Sequence, residues 1–213
     1  MPVRVDIEMC FELHSGMHTT GDRAELWTDK AITRDWHEGG KPVVPATSIK
    51  GWLRESAERV LRGFGQAACD ASQPSTICGR CLVCQVFGSP YAKSPLRFED
   101  AVLDEAITDT RIGVSLSRYR RTAYEEQLFT MEVAWSKTLT TKVSGLFTSR
   151  DKSIQAVALL WVAAKAGWAL GAARSRGMGW VKLEAFMASC DGVLIPEGEL
   201  QAIVQRWQGE LYE

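Results

Sequence analysis

Apolar and polar residues alternate along the first part of the chain. From Val3 to Leu13 every second residue is apolar, and the residues between them are charged apart from Cys10. Since a period of two puts successive side chains on opposite faces of an extended chain, this pattern predicts a half-buried strand. A polar segment with four glycines follows, from His14 to Lys41. A loop of this length is unusual in a compact domain, so we expect it to be functional or disordered.

Three later segments have the apolar spacing of helices. In PVVPATSIKGWLRESAERVLRGFG, one apolar face predicts a helix that Thr47 or Ser48 caps and that ends near Gly63. The largely apolar stretch Ile154–Leu170 predicts a second helix, too short and too rich in alanine to span a membrane. A third helix is expected over Glu197–Gln208.

The remaining patterned segments predict strands. LRFEDAVL indicates one strand, and LFTMEVAWSKTLTTKVSGLF indicates two strands joined as a hairpin at Ser136–Lys137. Residues 113–130 are interpreted as a polar connection, and GAARSRGMGWVKLEAF as a glycine-rich turn that leads into a last strand. The order of these elements predicts an α+β fold with an antiparallel sheet, close to a ferredoxin-like arrangement.

Composition and charge narrow the range of functions. A chain of 213 residues can bury a proper core. Its net charge of −1 means that any nucleic-acid binding must depend on locally clustered lysines and arginines. No apolar run approaches the roughly 20 residues that cross a bilayer, and the alternating N-terminus lacks the apolar core of a signal peptide. We therefore expect a soluble, cytoplasmic protein with no membrane partner.

Four of the six cysteines are crowded into one short segment. Cys69, Cys78, Cys81 and Cys84 follow the pattern C-x8-C-x2-C-x2-C in a stretch rich in Gly, Pro, Ser and Thr. In a reducing compartment such clusters are more often metal ligands or redox groups than disulfides. Four converging thiolates suit a structural Zn(II) ion, which favours tetrahedral thiolate ligation. An iron–sulfur or redox centre and buried free thiols are the alternatives, although the Pro-flanked fourth cysteine of many iron–sulfur motifs is absent.

Three segments combine glycine, hydroxyl groups and positive charge. They are the helix start PATSIKGWLR, the stretch SRYRRTAY and the turn GAARSRGMG. Helix-start N–H groups and cations can bind phosphates, and arginines interleaved with tyrosines suit single-stranded nucleic acid. Together these segments indicate binding of RNA or single-stranded DNA. The candidate binding residues are Thr47, Ser48, Lys50, Arg54, Arg118, Arg120, Arg121, Arg174 and Arg176.

The same segments resemble a known family. PVVPATSIKGWLR resembles the signature P-x-I-P-G-S-S-[IL]-K-G-x-[IL]-R of the RAMP superfamily of CRISPR proteins, and GAARSRGMGWVKL resembles its glycine-rich loop. GVSLSRYRRTAYEEQLFTMEVAW is similar to I-D-R-x-T-G-x-A-x-x-x-x-L-F-x-x-E-V of the type III backbone subunit, although Ser117 stands where an Asp often precedes the Arg. The resemblance covers residues 3–186, in the right order and spacing.

The resemblance implies a single domain over residues 1–213, with a ferredoxin-like (RRM-like) core. It implies insertions at 14–45 (catalytic loop), 65–92 (zinc binding) and 113–147 (a thumb-like hairpin). The implied partners are CRISPR RNA, complementary target RNA, neighbouring copies of the chain and other type III subunits. Copies would polymerise along the guide, and each thumb would kink the guide–target duplex at regular intervals.

In type III backbone subunits a loop aspartate cleaves the target RNA with a divalent metal such as Mg(II). The loop motif x-D-S-P-V-I-R-D resembles LWTDKAITRD here, which implies Asp29 as the cleaving residue and places Arg34 and Asp35 at the Arg-Asp pair. Lys30-Ala31 replaces Ser-Pro, and Ala46-Thr47 replaces the Gly-Ser of the helix signature. Asp29 could act as a general base or hold the metal.

Two other functions stay open at this point. The chain could be a scaffold subunit that binds guide RNA without cleaving the target. It could instead process precursor CRISPR RNA with a His or Tyr, although such enzymes tend to be longer. His14, His18 and His37 flank the Asp29 loop and could assist catalysis.

Overall fold

The computed structural model of the protein describes residues 2–21, 26–35, 37, 39–71 and 73–209. Its strands, in chain order, are β1 (Val3–Leu13), β2 (Arg34–Asp35), β3 (Lys41–Val44), β4 (Leu96–Phe98), β5 (Ala101–Val102), β6 (Ile107–Leu116), β7 (Ala123–Trp135), β8 (Thr138–Phe147), β9 (Val181–Cys190) and β10 (Val193–Leu194). Its helices are α1 (Ala46–Gly63), α2 (Leu82–Phe87), α3 (Arg150–Ala166) and α4 (Glu197–Gly209). The predicted α+β class with antiparallel sheets is confirmed.

The main sheet has five antiparallel strands in the order β10-β9-β1-β8-β4. β1 is its central strand and pairs with β8 on one side and β9 on the other. The alternation in the sequence is confirmed, because Val5, Ile7, Met9 and Phe11 are buried while the residues between them are partly exposed. One face of the sheet therefore belongs to the core, and the other presents polar side chains.

The core lies between this sheet and the helices α1 and α3. Helix α1 buries one face, which includes Ile49, Leu53 and Leu61. Helix α3 is buried on most sides, as its apolar sequence leads one to expect. Trp52 of α1 packs edge-on against Phe11 of β1, with ring centroids 5.3 Å apart. None of the described helices is both long enough and apolar enough to cross a membrane.

Helix α3 begins and ends earlier than the apolar run Ile154–Leu170 predicts. Its start is fixed by Ser149, whose side chain accepts a hydrogen bond from the Lys152 N–H at 3.4 Å. Its end is at Gly167, whose backbone is extended with φ −75° and ψ 119°, and a Cβ atom at this position would lie 2.8 Å from Cε2 of Trp52. After Gly167, Ala169 and Leu170 are buried in a loop, which hydrophobicity alone does not distinguish from a helix.

The predicted hairpin at Ser136–Lys137 is wrong, although the chain does change strands there. β7 pairs with β6, whereas β8 joins the main sheet between β1 and β4. The segment 113–130, interpreted as a polar connection, instead forms most of the hairpin β6–β7. β6 is largely exposed on both faces, so it lacks the alternation that marks a half-buried strand.

The start of α1 also differs from the prediction. The N-cap residue is Pro45, and Thr47 and Ser48 lie inside the first turn. The Ala46 N–H donates to Oδ1 of Asp100 at 2.6 Å. A carboxylate that follows β4 therefore satisfies this donor and complements the positive end of the helix dipole.

Replacement of Asp100 tests this cap. We expect Asp100→Ala to lower the free energy of unfolding by about 0.5–2 kcal/mol, since the first N–H of α1 then loses its acceptor. Asp100→Asn keeps an acceptor and should retain most of the stability. Urea unfolding measures the difference, with Glu99→Ala as the exposed neighbouring control. Equal losses for Asp100→Ala and Glu99→Ala would contradict the capping role.

Candidate functional site

The four clustered cysteines converge on one point. Their sulfur atoms all lie within 4.8 Å of one another. Cys69 Sγ is 3.3 Å from Cys84 Sγ and 3.6 Å from Cys81 Sγ. Four sulfurs bound to one zinc ion at about 2.3 Å are separated by about 3.8 Å in an ideal tetrahedron. The four thiols could therefore hold a zinc ion, and their close approach argues against an iron–sulfur cluster, whose several atoms would hold the thiolates farther apart.

Local backbone geometry makes this site. Gly79 has φ +71°, a left-handed conformation that turns the chain between Cys78 and Cys81. The N–H groups of Arg80 and Cys81 point at Cys78 Sγ at 3.4 and 3.3 Å. These two N–H groups lower the pKa of Cys78 to about 6, whereas burial raises the pKa of Cys84 to about 12. A bound dication would favour the thiolate at Cys84 as well.

The other two cysteines lie elsewhere in the fold. Cys10 is in β1, and Cys190 is buried at the end of β9 with its sulfur 3.3 Å from Ser153 Oγ. Neither belongs to the group of four.

Arg54 and Glu58 join the cysteine segment to helix α1. Glu58 is buried, and its carboxylate accepts from Nε of Arg54 at 3.0 Å and from the Ala71 N–H at 3.2 Å. The same guanidinium donates to the Gly88 carbonyl at 2.9 Å and lies 3.8 Å from Cys84 Sγ. Arg54 was predicted to bind RNA, but these contacts already occupy its guanidinium group.

The other predicted RNA-binding residues of α1 lie in two different environments. Thr47 and Lys50 line an open groove, to which Arg54 also contributes. Ser48 is half-buried in the first turn. The N–H of Ala46, at the start of the helix, is taken by Asp100 and so is not free to bind a phosphate.

The three arginines of SRYRRTAY lie together at the end of the hairpin. Arg118, Arg120 and Arg121 are exposed in the turn between β6 and β7. Ser117 shapes this turn, since its Oγ accepts the Arg120 N–H at 3.1 Å and its carbonyl accepts the Arg121 N–H at 2.8 Å. Tyr119 in the same turn is 96% exposed. The structure thus brings cations and an aromatic ring together on a projecting surface.

The glycine-rich turn packs against the loop that follows β1. Gly171 has φ +90°, and a Cβ atom there would lie 2.5 Å from the His18 carbonyl oxygen. Arg174 forms an ion pair with Glu55 of α1 at 2.9 Å, while Arg176 is exposed. Only Arg176 of this pair is therefore a readily available cation.

Asp29 is exposed and is hydrogen-bonded to a residue of β7. Its Oδ2 accepts from the N–H of Thr130 at 2.6 Å and from the Thr130 hydroxyl at 3.0 Å, and its own N–H donates back to Thr130 Oγ1 at 2.9 Å. These bonds from Thr130 lower the pKa of Asp29 below its ordinary value of 3.8. The carboxylate is therefore ionised at neutral pH.

The rest of the Asp29 loop is held along β7 by Glu132. The carboxylate of Glu132 accepts the Ile32 N–H at 3.0 Å and pairs with Arg34. The backbone of Lys30 forms a parallel bridge with β7 and accepts the Glu132 N–H at 2.9 Å. Sequence reasoning missed both Thr130 and Glu132. One signal for Glu132 was present, a lone acid in the apolar run Met131–Ala134.

The histidines near this loop have different environments. His18 is fully buried, and its Nδ1 and Nε2 atoms contact the Glu132 carbonyl at 2.6 Å and the Thr20 hydroxyl at 3.0 Å. Burial lowers the pKa of His18 below its ordinary value of 6.5. His14 lies 3.5 Å from Glu12, and the His37 N–H donates to Asp35. His18 therefore has a structural role beside the loop. Asp22, a further acid near Asp29 in sequence, lies outside the described residues.

Comparison with known families identifies the class of protein. The family model of the RAMP superfamily matches residues 11–182, which is most of the chain, and the protein belongs to this superfamily. No curated protein sequence matches the chain. Membership indicates a CRISPR-associated, RNA-binding subunit, and the superfamily includes some members with ribonuclease activity.

The cysteine centre can be tested by metal analysis. We expect the purified protein to contain about one zinc per chain, and Cys84→Ser to lose most of it, because four thiolates are needed for a closed tetrahedral site. Elemental analysis by mass spectrometry measures the content, with Cys10→Ser as the control. Iron together with visible absorbance would indicate a cluster instead. Metal-free wild-type protein with full stability would indicate free thiols.

The burial of His18 predicts a pH dependence of stability. Because its pKa is lower in the folded state, the unfolded chain binds the proton first. Stability should therefore be complete above the ordinary value of 6.5 and decrease as the pH falls through it towards the lowered pKa. Urea unfolding between about pH 7.5 and pH 5.5 measures this slope. His18→Gln should reduce the slope and His14→Gln should not; the reverse result would contradict the assignment.

Proposed function

We propose that this protein is the CRISPR RNA-binding backbone subunit of a type III effector complex and cleaves complementary target RNA at regular intervals through Asp29. Its proposed partners are CRISPR RNA, target RNA, copies of itself and other subunits of the complex, in the cytoplasm. The observation that carries the proposal is the attachment of Asp29 to Thr130 in β7. It joins an exposed carboxylate to a hairpin whose far end carries three arginines.

The proposed core of this single domain is ferredoxin-like. The elements β1, α1, β4, β8, α3 and β9 follow the chain order β-α-β-β-α-β. Their strands lie side by side as β9-β1-β8-β4 in one antiparallel sheet. The proposed insertions 14–45 and 65–92 contain the Asp29 loop and the cysteine centre. The hairpin β6–β7 overlaps the third, 113–147, and we propose that this hairpin is the thumb.

The surface of the hairpin supports its role as a thumb. Ile112, Leu116 and Leu128 are each at least 65% exposed, as are Tyr119 and Ile107. A two-stranded hairpin is marginally stable alone, and apolar side chains on it gain stability when another surface covers them. A guide–target duplex would provide such a surface. Its bases would stack against these side chains, and its phosphates would contact the arginines.

Asp29 is better suited to hold a metal than to act as a base. An efficient general base has a pKa near the working pH, whereas the bonds from Thr130 lower the pKa of Asp29. An ionised carboxylate is a ligand that Mg(II) accepts, together with phosphate oxygens and water. The 2′-hydroxyl of RNA is the nucleophile in either case, so alignment of the scissile bond is the main requirement.

The scaffold alternative has one observation in its favour. Oδ2 of Asp29 already accepts two bonds from Thr130, a role that needs no catalysis. The precursor-processing alternative has less support, because both ring nitrogens of His18 are engaged inside the protein.

The decisive test uses the assembled complex with guide RNA, labelled complementary RNA and Mg(II). Asp29→Asn is nearly isosteric and keeps an acceptor for Thr130, but it removes the charge. We expect it to reduce the cleavage rate by about 10²–10³-fold, a magnitude typical of the loss of one electrostatic group. Guide binding should be unchanged. Asp151→Asn, at an exposed aspartate in the first turn of α3, is the control.

Three outcomes distinguish the functions. Evenly spaced cuts that are lost only in Asp29→Asn support the proposal. Target binding without cuts in any variant would make the protein a scaffold. Cleavage of precursor RNA in the absence of target would indicate a processing enzyme.

A further inference from the structure

A groove runs between helix α1 and the loop that follows α2. Its volume is about 680 Å³. Helix α1 contributes Thr47, Lys50 and Gly51 to one wall, and residues 88–94 contribute Ser89, Lys93 and Ser94 to the other. Sequence reasoning assigned the first wall to phosphate binding but not the second.

Two lysines supply the positive charge of this groove. Lys50 lies over the ring of Phe98, with Nζ 5.8 Å from the centroid. Burial, and then the nearby charge of Arg54, lowers the pKa of Lys50, so an anion in the groove would stabilise its charged form. Lys93 is exposed on the opposite wall. Within the described part of the chain neither lysine forms an ion pair, whereas Arg54 is paired with Glu58.

Gly51 is an independent indication of a ligand. It lies inside α1, where a glycine costs about 1 kcal/mol relative to alanine. Packing within the protein does not require it, because a Cβ atom at this position would meet nothing within 4 Å. A bare helix backbone at the wall of a groove permits close approach of another molecule.

The second wall is held in a fixed shape. Gly88 has φ +86°, and a Cβ atom there would lie 2.8 Å from the Ser94 nitrogen. The Ser94 hydroxyl donates to the Val86 carbonyl at 2.7 Å. The Gly88 carbonyl accepts from Arg54, which also contacts Cys84. Lys93 therefore stands on a loop whose position depends on the cysteine centre.

We propose that Lys93 is a phosphate-binding residue, opposite Lys50 in a groove that holds the phosphodiester backbone of single-stranded RNA. This inference rests on the proposed function, because it assigns RNA to the groove. Arg54 is a positioning residue in this arrangement and links the wall that carries Lys93 to helix α1. Gly51 provides the space in which the RNA backbone meets the helix.

The test measures binding of a labelled single-stranded RNA to the full chain at several salt concentrations. A lysine that neutralises one phosphate contributes about 0.7 to the slope of log K against log salt for single strands. We expect Lys93→Gln to weaken binding several-fold, to the same extent for different sequences, and to reduce the slope by about that amount. Lys182→Gln, an exposed lysine in β9, is the control.

A second pair of variants separates binding from folding. Gly51→Ala should raise the unfolding temperature, because alanine favours a helix, and should weaken RNA binding, because its methyl group lies in the groove. Gly63→Ala, at the other end of α1, should affect stability alone. Opposite changes in stability and affinity cannot result from misfolding.

The outcomes distinguish the two proposals. Absence of RNA binding by the wild-type chain, alone and in the complex, would overturn the proposed function and this inference with it. Wild-type binding with an unchanged slope and affinity in Lys93→Gln would overturn this inference alone. A reduced slope in Lys93→Gln, together with weaker binding by Gly51→Ala, would establish the groove.

Discussion

The arrangement of the candidate site depends on how the carboxylate of Glu132 is paired. Glu132 lies in β7, a strand of the hairpin, whereas its partners Ile32 and Arg34 belong to the loop that carries Asp29. Because Glu132 is largely buried, loss of Arg34 would leave a poorly solvated charge, at a cost on the order of 3 kcal/mol. One strand thus serves two structures, since it completes the hairpin and also provides the edge on which the loop lies.

A second buried acid, Glu58, organises the cysteine segment in a similar way. Glu58 pairs with Arg54, and that guanidinium reaches both the Gly88 carbonyl and the cysteine centre. In each case a buried charged pair and backbone hydrogen bonds supplement the packing of a few core side chains, such as Ile32 in one segment and Val86 in the other. The remaining polar groups of these surface segments therefore stay available at the surface.

Much of the core could be predicted from the sequence, because it depends on local patterns. The alternation in β1 and the apolar face of α1 correspond directly to burial. The cysteine spacing was sufficient to indicate convergence. The cap of α1 could not be predicted, since Asp100 is 54 residues from Ala46, and neither could the contact between Asp29 and Thr130, which are 101 residues apart. The hairpin β6–β7 was missed because both faces of β6 meet solvent.

Because the hairpin is long, a small rotation at its base produces a larger displacement of its turn. A ten-residue antiparallel strand extends about 34 Å, and Asp29 is attached near its middle, because its partner Thr130 in β7 pairs with Ile112 in β6. The two strands leave the fold beside Asp104 and Ser136, which are joined by a hydrogen bond of 3.0 Å from the serine hydroxyl to the aspartate carbonyl. A rotation of only 5° about this junction would displace the turn by about 3 Å and Thr130, midway along the hairpin, by about half as much. A ligand that bends the far end of the hairpin would thus also act on the Asp29 loop, because the hydrogen bonds from Thr130 couple the hairpin to that loop.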